Sequence, residues 1–262
     1  EPACPEDIGL VAMTLDLRRQ LIQPAAVQSL RARMDEQAAR PLAPRTSSVT
    51  MLLPGQALRE PPATLVRAAA LLGNKGNIAL GDDDGSDIAL ALEAGIAIPA
   101  LRLDRFFQPL RAPSNIIIAD GLLLRHLRQW LPGTEIASLG VALSGLAAVR
   151  RALRASDLYV IEPRAYHADY QCLVKYYDAL RADAGCTLNL DLQRIAIPAT
   201  ARSLPQRLGL EAIDDKVQAR WILQGRKITR IVVESMEDGA ECGQVSDSPV
   251  VHLAELADDR TS

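Results

Sequence analysis

Histidine and cysteine are scarce in this chain, and neither is clustered. The three histidines, His126, His167 and His252, are too few and too far apart to indicate a dedicated metal site. The four cysteines, Cys4, Cys172, Cys186 and Cys242, form no CxxC pair, and reduced thiols in a cytoplasmic protein are the expectation. An excess of one charge is also lacking. A formal charge of −3 over 262 residues leaves no electrostatic footprint for nucleic acid or anionic lipid. No apolar run approaches the roughly 20 residues of a membrane span. The stretch Ser138–Gly145 does not form the strand–nucleophile–helix elbow GxSxG, which argues against a serine hydrolase. No internal repeat is visible. The chain begins at Glu1 rather than at methionine, and the expectation is that a preceding segment has been removed.

What the chain has is apolar residues, 48% of the total, enough for a sizeable core. Leu15, Leu17, Leu21, Val27, Leu30 and Met34 recur near helical spacing, interrupted at Pro24. Prolines at 41, 44, 54, 61 and 62 then mark a linker with a short extended element at Val49–Leu53. Residues 1–60 are therefore expected to be a small helical region plus linker. Ala63–Leu72 reads as a helix ended by Gly73.

Beyond residue 60 the pattern alternates. Strands are expected at Asn77–Leu80, Ala97–Leu103, Glu135–Leu139, Leu158–Ile161 and Cys186–Leu192. Helices are expected at Asp87–Ala94, Leu122–Trp130, Leu146–Ala155 and Ala168–Ala182. Ile116–Ile118 is a further apolar run without an assigned place. The alternation predicts an α/β fold with a mostly parallel sheet covered on both faces. Val217–Leu223 and Lys227–Val233, separated by Gln224-Gly225-Arg226, carry a hairpin signature. A Rossmann-like, methyltransferase-like sheet finished by a C-terminal antiparallel hairpin is thus expected over residues 61–236. A polar, fraying tail is expected at 237–262.

Three turns carry the candidate chemistry. Gly81-Asp82-Asp83-Asp84 follows a strand and precedes the helix opening near Ser86 and Asp87. A phosphate cradle needs glycines and backbone N–H groups, and three aspartates would repel a diphosphate. They suit a ligand that is neutral or cationic there, such as the amino and sulfonium groups of S-adenosylmethionine, or a polyamine. The same aspartates could simply cap the helix. Asp104 lies about twenty residues further on, where an acidic residue commonly accepts both ribose hydroxyls. Glu162-Pro163 follows the apolar strand Leu158–Ile161, at the carboxyl edge where α/β active sites lie. A carboxylate there can hold an amine and take its proton. Asp157, before that strand, reads as structural. Tyr166, His167, Asp169, Tyr170, Tyr176 and Tyr177 follow, either as a mixed helix surface or as faces for an adenine or a cation.

Gly81-Asp82-Asp83-Asp84 with Ile88-Ala89-Leu90-Ala91-Leu92 resembles the nucleoside loop of the branched-chain polyamine synthases, the N(4)-bis(aminopropyl)spermidine synthases. The family's acidic residue closing its second strand is matched by Asp104. Its D-P-P turn, which holds the amine substrate, corresponds to Glu162-Pro163-Arg164 here, with two of the three residues changed. The resemblance covers about residues 60–185. It implies transfer of an aminopropyl group from decarboxylated S-adenosylmethionine to an amine nitrogen, releasing methylthioadenosine. It implies Gly81, Asp82, Asp83 and Asp104 at the donor, Asp82, Asp84 and Glu162 in catalysis, and Asp84, Glu162, Pro163, Arg164 and Tyr166 at a small-molecule amine substrate. By analogy it implies a homodimer joined through the N-terminal helices. Arg164 beside the amine site would oppose a polycation and suits a carboxylate. Methyl or aminocarboxypropyl transfer from S-adenosylmethionine, and a non-catalytic member of the fold, are therefore the alternatives.

Overall fold

The structure is a computed structural model that describes residues 10–41, 49–73, 78–199 and 216–257. Cys4 and Asn77, read above as a reduced thiol and a strand start, lie outside these residues.

The fold begins with a strand that the prolines around it conceal. Thr50–Leu53 (β1) is an interior strand of a parallel sheet, flanked by Ile78–Leu80 (β2) and Asn115–Ile118 (β3), with Glu135–Ser138 (β4) beyond. Met51 lies level with Ala79 on one side and Ile116 on the other, and Ile116 with Ile136. A second sheet repeats this plan. Asp157–Val160 (β5) is an interior strand, flanked by Thr187–Leu188 (β6) and Arg230–Val233 (β7), with Val250–His252 (β8) beyond β7. Both sheets are parallel throughout, with orders β2-β1-β3-β4 and β6-β5-β7-β8. The chain is therefore an α/β protein in which one topology occurs twice, although its sequence shows no repeat. A topology needs only the same sequence of apolar strands and crossovers, which different residues supply equally well.

Helices fill the crossovers. Leu10–Leu21 (α1) and Pro24–Ala39 (α2) precede β1. Gly55–Arg59 (α3) and Pro62–Gly73 (α4) join β1 to β2. Ser86–Ala94 (α5) and Ala100–Leu110 (α6) lead to β3, and Gly121–Trp130 (α7) to β4. Leu139–Ser144 (α8) and Ala147–Ala152 (α9) carry the chain into the second sheet. Pro163–Ala168 (α10), Tyr170–Ala184 (α11), Lys216–Leu223 (α12) and Met236–Val245 (α13) serve that sheet, and a 3-10 turn at Leu253–Glu255 follows β8.

Interior strands β1, β5 and β7 are buried on both faces, as is usual in parallel sheets. Met51 and Leu53 pack with Ile116, Ile118, Phe106 and Leu123 on one side of the first sheet. Leu52 faces the other way, into a core it shares with Tyr159, Ile161, Val232, Leu139 and Leu143. That shared core joins the two sheets. At the same seam, α7 starts at Gly121 hard against α10: a Cβ there would overlap the Glu162 carboxylate and the Ala165 amide. Gly121→Ala should therefore cost about 2–3 kcal/mol by overpacking, measured by urea unfolding. An unchanged midpoint would show that the seam has slack.

Several expectations are corrected here. Among the described residues there are two sheets rather than one, and no antiparallel hairpin closes them. Val217–Leu223 falls in helix α12, where Ala219 and Ile222 are buried three residues apart, a helical stripe. Gly225 (φ 71°) lies in the turn that follows. The other supposed arm supplies β7, parallel between β5 and β8. Ala97–Leu103 is not a strand. Pro99 sets up helix α6, whose buried residues Arg102, Phe106 and Leu110 recur at four-residue spacing. The linker element and the unplaced Ile116–Ile118 run are β1 and β3, interior strands of the first sheet. The region read as a fraying tail contributes α13, with Asp238, Glu241 and Cys242 buried, and β8.

Candidate functional site

In each sheet the chain starts at an interior strand, steps outward to one side, then returns past its origin. The crossovers leave β1 and β3 in opposite directions, and likewise β5 and β7. Such switch points open a crevice at the carboxyl ends of the strands. Here the two crevices meet in one cavity of about 580 Å³, within the ordinary range for small-molecule sites. Pro54 and Gly55 after β1, Ala119 and Asp120 after β3, Arg164 after β5, and Glu234 and Ser235 after β7 all line it.

The floor is built on Glu234. Its side chain is buried, and one oxygen accepts from the hydroxyls of Tyr159 (2.6 Å) and Tyr177 (2.7 Å). The other accepts from the Glu162 amide at 2.9 Å. Burial pushes the carboxyl up to about 7, against the pull of these three donors, and the Glu162 charge adds to the rise. Burial likewise raises both tyrosines well above their ordinary value, with the Glu234 charge adding, so they remain donors at neutral pH. Gly140 opens the space above: any Cβ there would collide with the carboxylate. His252 closes the floor from β8. Its Nδ1 accepts from the Ala254 amide (3.1 Å) while Nε2 lies 3.1 Å from the Glu234 carbonyl. These partners assign the Nε2–H tautomer, and burial lowers the ring's pKa, keeping it neutral.

Arg164 crosses the cavity as an ionic tie. Its Nε donates to Glu162 at 2.8 Å, and its terminal nitrogens lie 3.8 Å from Asp120 and 3.5 Å from Glu237. Burial would lower its pKa, but the charges of Asp120, Glu162 and Glu237 reverse that and raise it well above the usual value. Asp120 belongs to the first sheet and the other two carboxylates to the second, so the tie spans both halves. Asp120 also caps α7 by accepting from the Leu122 amide at 3.0 Å.

The residues singled out from the sequence fare unequally. Glu162 does close β5, but one oxygen caps α10 through the Ala165 amide (2.5 Å) and the other holds Arg164. It therefore positions Arg164. Pro163 is the first residue of α10. Arg164 lines the cavity. Tyr166 is buried, and its hydroxyl donates to the Arg194 carbonyl at 2.9 Å. It packs under α10 with Tyr177 and Tyr170.

The acidic turn Gly81–Asp84 lies at the carboxyl edge of β2, but its carboxylates are engaged. Arg102, fully buried, binds Asp83 at 2.7 and 2.8 Å and Asp87 at 2.7 Å through two nitrogens. Arg59 binds Asp84 at 3.0 Å and the carbonyls of Gly81 and Asp82. Asp84 also accepts from the amide and hydroxyl of Ser86, and Asp83 from the amide of Gly85. Asp83 and Asp84 thus brace the turn itself, while the cap position of α5 is Gly85, with no side-chain bond. Asp82 is exposed, and Ser86 is the turn's nearest contribution to the cavity wall. Asp104 does not end a strand; it is exposed on α6, two residues past the buried Arg102. Asp157 is structural, as expected, and holds Arg230 at 2.6 and 3.1 Å on the opposite sheet edge.

Sequence reasoning missed Asp120, Glu234, Ser235, Glu237 and His252. A signal was present for the first two: Ile116-Ile117-Ile118-Ala119 and Ile231-Val232-Val233 are apolar runs, each followed at once by an acid and then by a small residue, Gly121 or Ser235.

No protein-family model matches the chain, and no curated protein is significantly similar to it.

Proposed function

We propose that the cleft is an active site for a small amine-bearing molecule, with Glu234 taking the proton from the reacting nitrogen. The observation that carries this reading is a buried carboxyl group lifted to about 7 on a residue that lines the cavity where both switch points meet. A base poised near neutrality is what deprotonation of an ammonium requires. The lining favours a cation: Glu60, Asp120, Glu234 and Glu237 face Arg33 and Arg164, and Arg164 is already held by acids.

Aminopropyl transfer to that nitrogen is the form of the reading that the sequence resemblance supplies. Its acceptor half moves from Glu162 to Glu234 and Asp120. Its donor half has no support in the residues assigned to it. Asp83 and Asp84 are bound by Arg102 and Arg59, and Asp104 sits on a helix surface, so these residues do not fit an S-adenosyl donor.

Calorimetric titration with putrescine tests the reading. Binding is expected, and Asp120→Asn should weaken it by about tenfold through loss of one charge-assisted contact. Asparagine caps a helix as well as aspartate does, so the variant keeps α7. Parallel titrations with S-adenosylmethionine, its decarboxylated form and methylthioadenosine decide the donor. Failure of putrescine and longer diamines to bind would overturn the amine reading.

A further inference from the structure

The cavity carries a positive charge that the amine reading does not use. Arg33 lines it from α2, and among the described residues it makes no ion pair or side-chain hydrogen bond. The helix that carries it is fixed all the same. Leu30 and Met34 on the same helix are fully buried against Leu90, Ala91 and Ala94 of α5. Leu90 itself lines the cavity, so the anchor of α2 and the wall of the cleft are one piece of structure. Arg33 stands beside that anchor, exposed, with Glu60 also exposed at the end of α3.

The lining is therefore polarised. Exposed Arg33 and Glu60 mark the mouth. Asp120, with 15% of its side chain exposed, and Glu234, at 5%, lie deeper. A simple diamine complements the acidic floor but leaves the Arg33 guanidinium facing a cation. A planar guanidinium matches a carboxylate, with two parallel N–H···O bonds.

We propose that the ligand is a basic amino acid. Its side-chain amine reaches Asp120 and Glu234, its α-carboxylate meets Arg33, and its α-ammonium meets Glu60. This rests on the amine reading and narrows it from amines in general to those with a carboxylate at the far end.

Ornithine and putrescine differ only in that carboxylate, so calorimetry with the pair on the full chain is decisive. Ornithine is expected to bind at least about tenfold more tightly than putrescine. Arg33→Gln should lower ornithine affinity to that of putrescine. The substitution is on an exposed helix position and should leave the thermal midpoint within a degree or two. Equal affinities in the wild type, or an ornithine affinity untouched by Arg33→Gln, would overturn this proposal and leave the amine reading standing. Binding of neither compound would overturn both.

Discussion

Arg102→Met should destabilise the fold by about 3–5 kcal/mol, the cost of leaving a buried charge pair without its partner. Against the roughly 5–15 kcal/mol that holds a domain together, this is a large share. The reason lies in the turn read from sequence as a ligand loop. Arg102 is fully buried and makes four short hydrogen bonds, two to Asp83 and two to Asp87. Burial alone would lower its pKa; the hydrogen bonds and charges of Asp87 and Asp83 overcome that and hold the guanidinium charged. Phe106, 5.6 Å away, covers its face. Removing the guanidinium leaves Asp87, 8% exposed, with a second carboxylate beside it and no counter-charge. Urea unfolding at pH 7 would register the loss. Adding Asp83→Asn and Asp87→Asn should recover much of it, since the repulsion then disappears. Stability unchanged in Arg102→Met would mean that the aspartates are not committed to Arg102, and a ligand role for the acidic turn would return.

Glu234→Gln should lower turnover of an amine substrate by about 10²–10⁴-fold, the usual contribution of a positioned base, while binding falls less. It should also change how stability depends on pH. Folding lifts the Glu234 carboxyl from 4.5 to about 7. Between those values the folded state holds a proton that the unfolded chain has lost. Its contribution is fully present below pH 4.5 and is lost as pH rises through about 7, a loss of about 3 kcal/mol. Glutamine does not titrate, so this slope should vanish in the variant. Its amide oxygen can still accept from the two tyrosines, but its N–H₂ then faces the Glu162 amide, donor to donor. That conflict costs about 1–3 kcal/mol. The variant should thus be clearly less stable than wild type at pH 5 and close to it at pH 8. Parallel curves across that range would show that Glu234 titrates normally.

How far the sequence could be read depended on where each residue's partner lies. Strand β4 and helices α5, α7 and α11 are readable because their apolar periodicity is local. Strands β1 and β3 were not, because a four-residue strand buried on both faces has no period to detect, and prolines flank β1. Helix α12 reads as a strand on its β-branched residues, although Ala219 and Ile222 keep helical spacing. The acidic turn shows the same limit more sharply. Its placement at a strand's carboxyl edge was correct. Its availability was not, because the arginines that occupy it come from 25 residues before Asp84 and 19 after Asp83. Glu162 stands at the expected edge, but the buried base beside it, Glu234, lies 72 residues away and is brought in by β7. Pairings between the two sheets leave no trace in local pattern.

The most direct measurement is the pH titration of the Glu234 side-chain carbon by NMR, using selectively ¹³C-labelled glutamate, with and without saturating putrescine. A midpoint near 7 is expected in the free protein, moving down by about one pH unit or more when a cation occupies the cleft. A midpoint in the ordinary carboxylate range, or one that bound amine leaves where it was, would contradict the assignment of Glu234 as the base of an amine site.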